Sequence, residues 1–198
     1  MFMAVLNTNR NDDLLGDAIY KRALEIYPTE KNPLHYAPII NWELGGGDPL
    51  DGIDVYNGPN YYHFLTYGLS KFFASDEEKI EFTFKLKKEN IDEKEIKNIC
   101  GILQSLAKIT FTTGEVFNEL EYIYTGQKSG IDYEGKSNIT GFITILDPEF
   151  KTITTEEGRL KFVEIIGVSK KDIESLKAKK TTVLALYEKL GTDVTSFS

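Results

Sequence analysis

Residues 48–70 constrain the fold more than any other part of the chain. The segment reads DPLDGIDVYNGPNYYHFLTYGLS: an acidic turn around Pro49, a Gly-Pro break and then an aromatic run that contains His63. The run from Tyr61 to Gly68 is apolar on both sides, a pattern typical of a central strand that is covered on each face. We therefore expect a sheet with packing layers on both sides.

Alternation divides this predicted strand into two faces. One face carries Tyr61, His63, Leu65 and Tyr67, and the other carries Tyr62, Phe64 and Thr66. Because one face must meet a helix, at most half of these aromatic side chains can contact a partner. We expect most of them, and Tyr56 as well, in the core, although tyrosine is also favoured at protein interfaces.

The rest of the chain alternates between helical and strand patterns. Helices are predicted around Leu15–Ile26, after a capping pair at Asp92 and Glu95, after Ser169, and over Thr181–Leu190. Strands are predicted at 36–42, with Pro38 at an edge or a bulge, and at 80–87, 139–146 and 160–168. In the 80–87 strand, polar and apolar residues alternate, which predicts one buried and one wet face. The fold class is therefore α+β, with a mixed, largely antiparallel sheet flanked by helices.

Composition predicts one compact domain spanning residues 1–198. Hydrophobic residues make up 41% of the chain, and the single Cys100 cannot form an internal disulfide, which fits a reducing, cytoplasmic location. Met1–Leu6 is too short for a signal peptide or a membrane span, so no membrane association is expected. The formal net charge of −8 argues against nucleic-acid binding and favours a basic partner.

The residue types that usually carry chemistry are sparse. His35, His63 and Cys100 do not have the spacing of metal ligands, so we expect neither a metal nor a cofactor. His63 admits two interpretations. It could act as a general base with Asp48 or Asp51 in a hydrolase-type enzyme, or it could be a structural histidine bonded to a backbone carbonyl or to one of those carboxylates. No nucleophile stands at a recognisable spacing, so we prefer the structural interpretation and expect no catalytic residues.

The acidic turn also has two interpretations. Asp before Pro initiates turns, because its side chain can accept a hydrogen bond from the amide two residues on, and this accounts for Asp48. Asp51 and Asp54 could equally form an acidic patch for a partner. Further acidic residues that we expect to be exposed are Asp76, Glu77, Glu78, Glu119 and Glu121.

Several of these motifs together resemble the suppressor of fused (SuFu) domain family. The matching segments are Leu44-Gly45-Gly46, Asp48-Pro49-Leu50-Asp51, the aromatic-His strand that ends in Tyr67-Gly68-Leu69-Ser70, Glu81–Lys87, Ile102–Ala107, Asp147-Pro148 and Phe162–Val168. The resemblance implies the fold of the N-terminal SuFu domain. It also implies a protein-binding role rather than catalysis, in the short single-domain form found in bacteria.

Some short members of the family are thought to be immunity proteins that neutralise a toxin. We therefore expect a cytoplasmic protein-binding module whose partner is a basic toxin domain, for example a nuclease, with a regulatory adaptor as an alternative. Animal relatives contact their peptide near the position of Glu119 and Glu121, and residues 122–136 are expected to form a mobile excursion. The candidate binding residues are Asp48, Pro49, Asp51, Tyr61, His63, Tyr67, Glu119 and Glu121.

Overall fold

A mixed sheet with helices on both faces forms the core of the protein. The computed structural model describes residues 14–40, 45–72 and 78–197. The strands are β1 (Leu34–Tyr36), β2 (Gly52–Asn57), β3 (Tyr61–Tyr67), β4 (Lys79–Lys87), β5 (Tyr122–Tyr124), β6 (Ile139–Leu146), β7 (Thr152–Thr155) and β8 (Gly158–Ser169). The helices are α1 (Leu14–Ile26), α2 (Glu93–Thr113), α3 (Lys170–Lys177) and α4 (Val183–Leu190).

The strands follow the order β1-β2-β3-β4-β8-β6-β5, and β7 pairs with β8 outside this path. Neighbouring strands run antiparallel except β4 and β8, which are parallel. The predicted α+β class with a mixed, largely antiparallel sheet is therefore confirmed. The predicted central strand is also correct, since β3 lies between β2 and β4.

Helix α2 covers one face of the sheet. It begins at Asp92, whose side chain accepts a hydrogen bond from the amide of Glu95 at 3.0 Å, and it ends at Gly114 in the left-handed conformation. Its apolar stripe packs on sheet residues such as Phe64, Phe82 and Phe84, which are fully buried. Each large side chain buried here contributes roughly 2 kcal/mol to folding.

The opposite face is covered by α1, the loop after β6, and the pair α3 and α4. Leu15, Ile19 and Ala23 of α1 pack against Leu65 and Phe162. Farther along the sheet, α3 and α4 pack on the outward side chains of β6 and β8. The predicted helix boundaries agree with this arrangement: α1 ends at Ile26, two residues before Pro28.

The prediction that one face of β4 is wet is wrong. Glu81, Thr83 and Lys85 are all fully buried, as are the phenylalanines with which they alternate. The reason is the second packing layer, because α1, the loop at 147–150 and the C-terminal segment all cover this side of the sheet. The polar side chains of β4 therefore require internal partners.

The C-terminal segment fills a gap in the sheet. Strands β4 and β8 pair from Lys79 to Thr83, and Thr195 is then inserted next to β4. Its amide donates to the carbonyl of Lys85 and its carbonyl accepts from the amide of Lys87, both at 2.9 Å, while its hydroxyl accepts from the amide of Gly167 at 2.8 Å. This insertion brings nearby Asp193 into the interior.

The predicted strand at 36–42 is displaced. The observed strand β1 is Leu34–Tyr36, and residues 37–40 are not strand, which fits the absence of an amide donor at Pro38. The edge position predicted from Pro38 is correct, because β1 is the terminal strand of the sheet. Several residues with sequence predictions lie outside the described ranges: Asn41, Trp42, Leu44, Asp76 and Glu77.

Candidate functional site

His63 lies inside a hydrogen-bonded group of polar side chains on the α1 face of the sheet. The imidazole is fully buried, with Nδ1 at 2.7 Å from the Tyr27 hydroxyl and Nε2 at 3.1 Å from Oδ2 of Asp147. The ring of Phe150 packs edge-on against it, with the centroids 5.2 Å apart. His63 therefore joins the residue that follows α1 to the loop after β6.

Asp147 holds that loop against the sheet. Its Oδ2 also accepts from the Thr83 hydroxyl at 2.7 Å, and its Oδ1 accepts from the amides of Glu149 and Phe150 at 2.7 and 2.8 Å. Burial by itself would raise the pKa of Asp147, but the hydrogen bond and charge of His63, with the charge of Lys85, hold the pKa well below its usual range. Asp147 is therefore an ionised and fully bonded carboxylate.

Lys85 is the buried cation of this region. Its Nζ lies 2.6 Å from Oδ2 of Asp193, 3.3 Å from Oε1 of Glu149 and 3.6 Å from Oε2 of Glu164. Burial would lower the pKa of Lys85, but the charges of Glu164 and Asp147 and the bond to Asp193 raise it above its ordinary value. We call the whole group the buried polar cluster, and its members are Tyr27, Tyr61, His63, Thr83, Lys85, Asp147, Glu149, Glu164 and Asp193.

Glu164 is the least satisfied member of the cluster. The residue is fully buried, and among the described residues neither carboxyl oxygen has a hydrogen-bond partner. Burial, together with the nearby charge of Asp147, raises the pKa of Glu164 well above its ordinary value. The folded protein therefore retains a proton on Glu164 over a pH range in which the unfolded chain has lost it, and Glu164 acts as a negative charge toward Lys85 only above that range.

We expect Glu164→Gln to remove a pH-dependent loss of stability. Because the pKa of Glu164 is raised by folding, the folded chain binds more protons than the unfolded chain above pH ~4.3, so stability falls as pH rises toward the raised pKa. The slope from one such group is at most about 1.4 kcal/mol per pH unit. Denaturant unfolding between mildly acidic and mildly alkaline pH should show a flatter profile for the variant.

Glu188→Gln is the matched control for this variant, because Glu188 is exposed on α4. It should leave the pH profile of the wild type unchanged. A Glu164→Gln profile as steep as that of the wild type would show that Glu164 is ionised in the folded protein.

The contact series Tyr27–His63–Asp147 has the order of a hydroxyl–imidazole–carboxylate relay, as in nucleophilic catalysis. Two observations argue against that chemistry. Burial raises the pKa of Tyr27 far above its usual range, and Tyr27 is only 8% exposed, so the hydroxyl is a neutral donor with little access to a substrate. The hydrogen bonds of His63 are those expected of a structural histidine.

The predicted partners of His63 were wrong. Neither Asp48 nor Asp51 is bonded to it, because His63 pairs with Tyr56 across β2 and β3, whereas Gly52, next to Asp51, pairs with Tyr67. Tyr56 and Gly52 are four residues apart along β2, so the Asp51 end of the strand lies about 13 Å from the position of His63. The general-base arrangement with Asp48 or Asp51 is therefore excluded by the register of the sheet.

Asp48 forms the turn that its sequence predicts. Its Oδ1 accepts from the amide of Leu50 at 3.1 Å, and its Oδ2 accepts from the side chain of Gln104 on α2. The structure thus confirms the turn interpretation, and it shows that this turn around Pro49 is fastened to the central helix. Burial raises the pKa of Asp48 above its ordinary value.

The two other carboxylates of the acidic loop also have partners within the chain. Asp51 forms an ion pair with Lys71 at 2.6 Å, and Asp54 is largely buried and bonded to Nδ1 of His35 at 2.6 Å. Gly68 has φ +108, and a Cβ there would lie 2.6 Å from the amide nitrogen of Asp51. Only glycine fits at a position whose backbone lies this close to the backbone of Asp51, which explains why a glycine follows Tyr67.

Glu81 organises the turn that follows β3. Its Oε1 accepts from the amides of Gly68 and Ser70 and from the Ser70 hydroxyl, and its Oε2 accepts from the Thr66 hydroxyl. Burial raises the pKa of Glu81 to about 7 in spite of these donors. The aromatic-Gly-Leu-Ser motif therefore has a structural role in the fold.

Glu119 and Glu121 lie at a different place, beside the edge strand β5. Glu121 is exposed and accepts from the amide of Asn118 at 3.1 Å, and Glu119 lies 3.5 Å from Lys161. In β5 itself, the side chains of Tyr122 and Tyr124 are 43% and 57% exposed. The structure thus separates the eight candidate residues into a structural set around β2 and β3 and a pair beside β5. Glu121 is exposed as predicted, whereas the prediction that Glu119 is exposed is wrong, because the residue is partly buried and its Oε2 is inaccessible to solvent.

The segment after β5 is tied to the body of the protein. Asp132 accepts from the amides of Lys136 and Ser137, and Glu95 of α2 accepts from the amide of Tyr133. This bonding differs from the excursion expected from the glycines of residues 122–136. Within the described ranges, no group of three or more His, Cys, Asp or Glu side chains is arranged to hold a metal ion.

Most of the buried polar cluster was not predicted from the sequence. The members that were not predicted come from separate parts of the chain, and no local spacing connects them. They are Tyr27, Lys85, Asp147, Glu149, Glu164 and Asp193. The one available signal was charge within otherwise apolar strands, at Glu81, Lys85 and Glu164. A charged residue in a strand that is covered on both faces must find a partner in the interior.

Comparison with known proteins agrees with the fold and the motifs. The family model of the suppressor of fused protein (SUFU) matches residues 46–198. The suppressor of fused homologs of Homo sapiens and Mus musculus are each 26% identical over 178 residues, which covers 80% of this chain and 36% of theirs. The chain thus spans about a third of the length of these relatives.

Two solved structures have the same architecture. A chain from the Sufu-Fu complex crystal structure is 25% identical, with a TM-score of 0.79 and coverage of 92% of this chain and 89% of that one. The crystal structure of Drosophila Suppressor of Fused is 24% identical, with a TM-score of 0.75 and coverage of 91% and 49%. With the family match over residues 46–198, these findings establish that the chain belongs to the suppressor of fused family.

Proposed function

We propose that this protein is a protein-binding module whose partner docks along β5, and that it serves as an immunity protein for a basic toxin domain. The family is known for protein–protein interactions, and one structural neighbour was solved as a Sufu-Fu complex. The observation that carries the proposal is the exposed edge at β5.

β5 has the features of a docking edge. It is the terminal strand of the sheet and pairs only with β6 among the described residues, so its outer backbone groups remain available for another strand. Tyr122 and Tyr124 project from this strand with about half of each side chain exposed, and Leu120 just before it is 49% exposed. Aromatic side chains next to an open strand edge combine main-chain pairing with large contact area.

Charge supports a basic partner. The chain carries a formal net charge of −8, and Glu119 and Glu121 stand directly before β5. The acids of the 48–54 loop do not contribute a free patch, because Asp48, Asp51 and Asp54 all have internal partners. Glu119 and Glu121 also have partners within the chain, at Lys161 and the amide of Asn118, so the electrostatic part of the proposal rests on the overall charge.

We propose an intracellular location for the protein together with its toxin partner. A chain with one cysteine and a strong negative charge suits a reducing compartment and a basic target such as a nuclease. Within the residues described, none of the helices has the length and apolar character needed to cross a bilayer.

We expect Tyr124→Ala to weaken binding of the toxin domain encoded by a neighbouring gene by about 30-fold, which corresponds to a loss of about 2 kcal/mol. Calorimetry or surface binding with the purified toxin domain would measure it. Tyr133→Ala is the matched control, since Tyr133 is also exposed, at 60%, but lies in the loop beyond β5. Equal losses from both variants would contradict docking at β5.

The association rate, measured by surface binding with the same toxin domain, tests whether the partner is basic. Electrostatic steering predicts that the association rate falls as salt is raised from about 10 mM to about 150 mM, because the charges become screened. A rate that does not change with salt would contradict the basic partner and would leave docking at β5 standing.

A further inference from the structure

We infer that the α3–α4 corner of the protein is a second docking surface, of opposite charge, that binds an acidic segment of a protein partner. This surface adjoins β5, because Lys177 lies over the ring of Tyr124, but it has the opposite charge preference and its test does not need the partner proposed for β5. The inference rests on five lysines at the corner, on the lack of ion-pair and hydrogen-bond partners for three of them among the described residues, and on the backbone conformation of one. Of the other two, Lys170 lies near Glu174 and Lys177 lies over the ring of Tyr124.

The corner concentrates positive charge in an acidic chain. Residues 170–180 read KKDIESLKAKK and contain five lysines and two acids, a formal charge of +3. The whole chain has a charge of −8, so the remainder carries −11. We call Lys170, Lys171, Lys177, Lys179 and Lys180 the lysine corner, and all five side chains are exposed.

Most of this charge is not neutralised within the protein. Among the described residues, Lys171, Lys179 and Lys180 have no ion-pair or hydrogen-bond partner for their ammonium groups. The nearby acids are engaged or distant: Asp172 is bonded to Ser169 at the start of α3, and Glu174 lies 4.0 Å from Lys170. Glu188, on α4, forms no ion pair with these lysines among the described residues.

The dipole of α3 explains only some of the positions at which these lysines stand. Lysines after the last turn of α3 are favoured by its negative C-terminal end. Lys170 and Lys171 stand at the opposite, N-terminal end, where a positive charge is unfavourable. Lys170 lies near Glu174 one turn along the helix, whereas neither the dipole nor an ion pair accounts for Lys171.

Lys179 has a backbone conformation that favours glycine. It has φ +54, in the left-handed region, and its amide donates to the carbonyl of Leu176 at 2.9 Å as α3 ends. At the ends of α2 and α4 the chain places Gly114 and Gly191 in this conformation, with φ +73 and +65. A side chain in this conformation is strained compared with glycine, as it also is at Asn90, Leu120 and Lys151, so Lys179 lowers local stability.

The partner chemistry follows from the charge of the whole molecule. A long polyanion such as nucleic acid would meet the lysine corner and also the repulsion of the remaining −11 charge. A short acidic peptide segment can contact the corner alone, which spans about 12 Å along α3. Charge complementarity therefore favours an acidic protein segment.

The test uses a fluorescent peptide of about eight glutamates as the probe, at about 20 mM salt, where exposed charges are weakly screened. The variant Lys171→Gln/Lys179→Gln/Lys180→Gln should bind it about 10-fold more weakly than the wild type. The control Lys21→Gln/Lys31→Gln/Lys128→Gln removes the same charge from exposed lysines elsewhere and should bind as the wild type does. Equal losses in the two triple variants would overturn the site.

Lys179→Gly separates the local strain from the docking role. It should raise the melting temperature by about 3 °C and weaken binding of the probe about 2- to 3-fold. Higher stability with unchanged affinity would remove Lys179 from the surface. Tighter binding of an oligodeoxynucleotide of the same length, or self-association of the wild type that the corner variant abolishes, would overturn the assignment to an acidic protein segment.

Discussion

Asp147→Ala is expected to lower the free energy of unfolding by about 4 kcal/mol, because it breaks a buried, charged network. The substitution leaves His63, the Thr83 hydroxyl and the amides of Glu149 and Phe150 without their acceptor. Since a typical domain has only about 5–15 kcal/mol of stability, the variant should unfold at a clearly lower urea concentration.

Asp48→Ala provides a matched control, since Asp48 also precedes a proline and also caps a turn. It is partly exposed and should cost about 1 kcal/mol. The pH dependence gives a second check. Because folding lowers the pKa of Asp147, its contribution is present above pH ~3.9 and is lost as pH falls, so the Asp147 variant should lose this part of the acid sensitivity. Similar stability of the two variants would show that Asp147 does not anchor the cluster.

His63→Ala should cost about 3 kcal/mol of stability while the affinity of the folded protein for its partner stays nearly unchanged. The side chain is fully buried and bonded on both nitrogens, and it lies in the interior rather than at the exposed strand β5. Thermal unfolding and a binding titration well below the midpoint would measure the two effects separately.

The other histidine of the chain is the control. His35 is exposed and paired with Asp54 at the sheet edge, so His35→Ala should cost at most about 1 kcal/mol. Unchanged stability of His63→Ala with lost binding would contradict the structural role. A double-mutant cycle with Asp147→Ala should show strong coupling, because the two side chains are in direct contact.

Local patterns predicted the elements well where the local signal and the packing agree. Asp92 and Ser169 each accept the amide hydrogen bond expected of a helix cap, and α4 ends at Gly191 as predicted. In all these cases the decisive interaction is made within a few residues, so the sequence window contains both partners.

Prediction was wrong where a distant segment decides the environment. The alternation of β4 indicated a wet face, but α1 and the loop at 147–150 cover it. His63 was matched with Asp48 or Asp51 in the preceding turn, whereas its carboxylate partner, Asp147, is 84 residues away. Sequence proximity was misleading because the strand that carries His63 extends away from the Asp48–Asp51 turn.

The sequence by itself determined the fold family, the helix boundaries and the presence of a central aromatic strand. These depend on hydrophobic periodicity, on caps and on glycines that short segments contain. Only the tertiary structure decided which polar groups are buried together, as with Lys85 and Glu164, and which remain at the surface, as with Tyr124 and Lys179. Burial and pairing are properties of the packed layers, and the cost of removing a charge from water depends on every segment that encloses it.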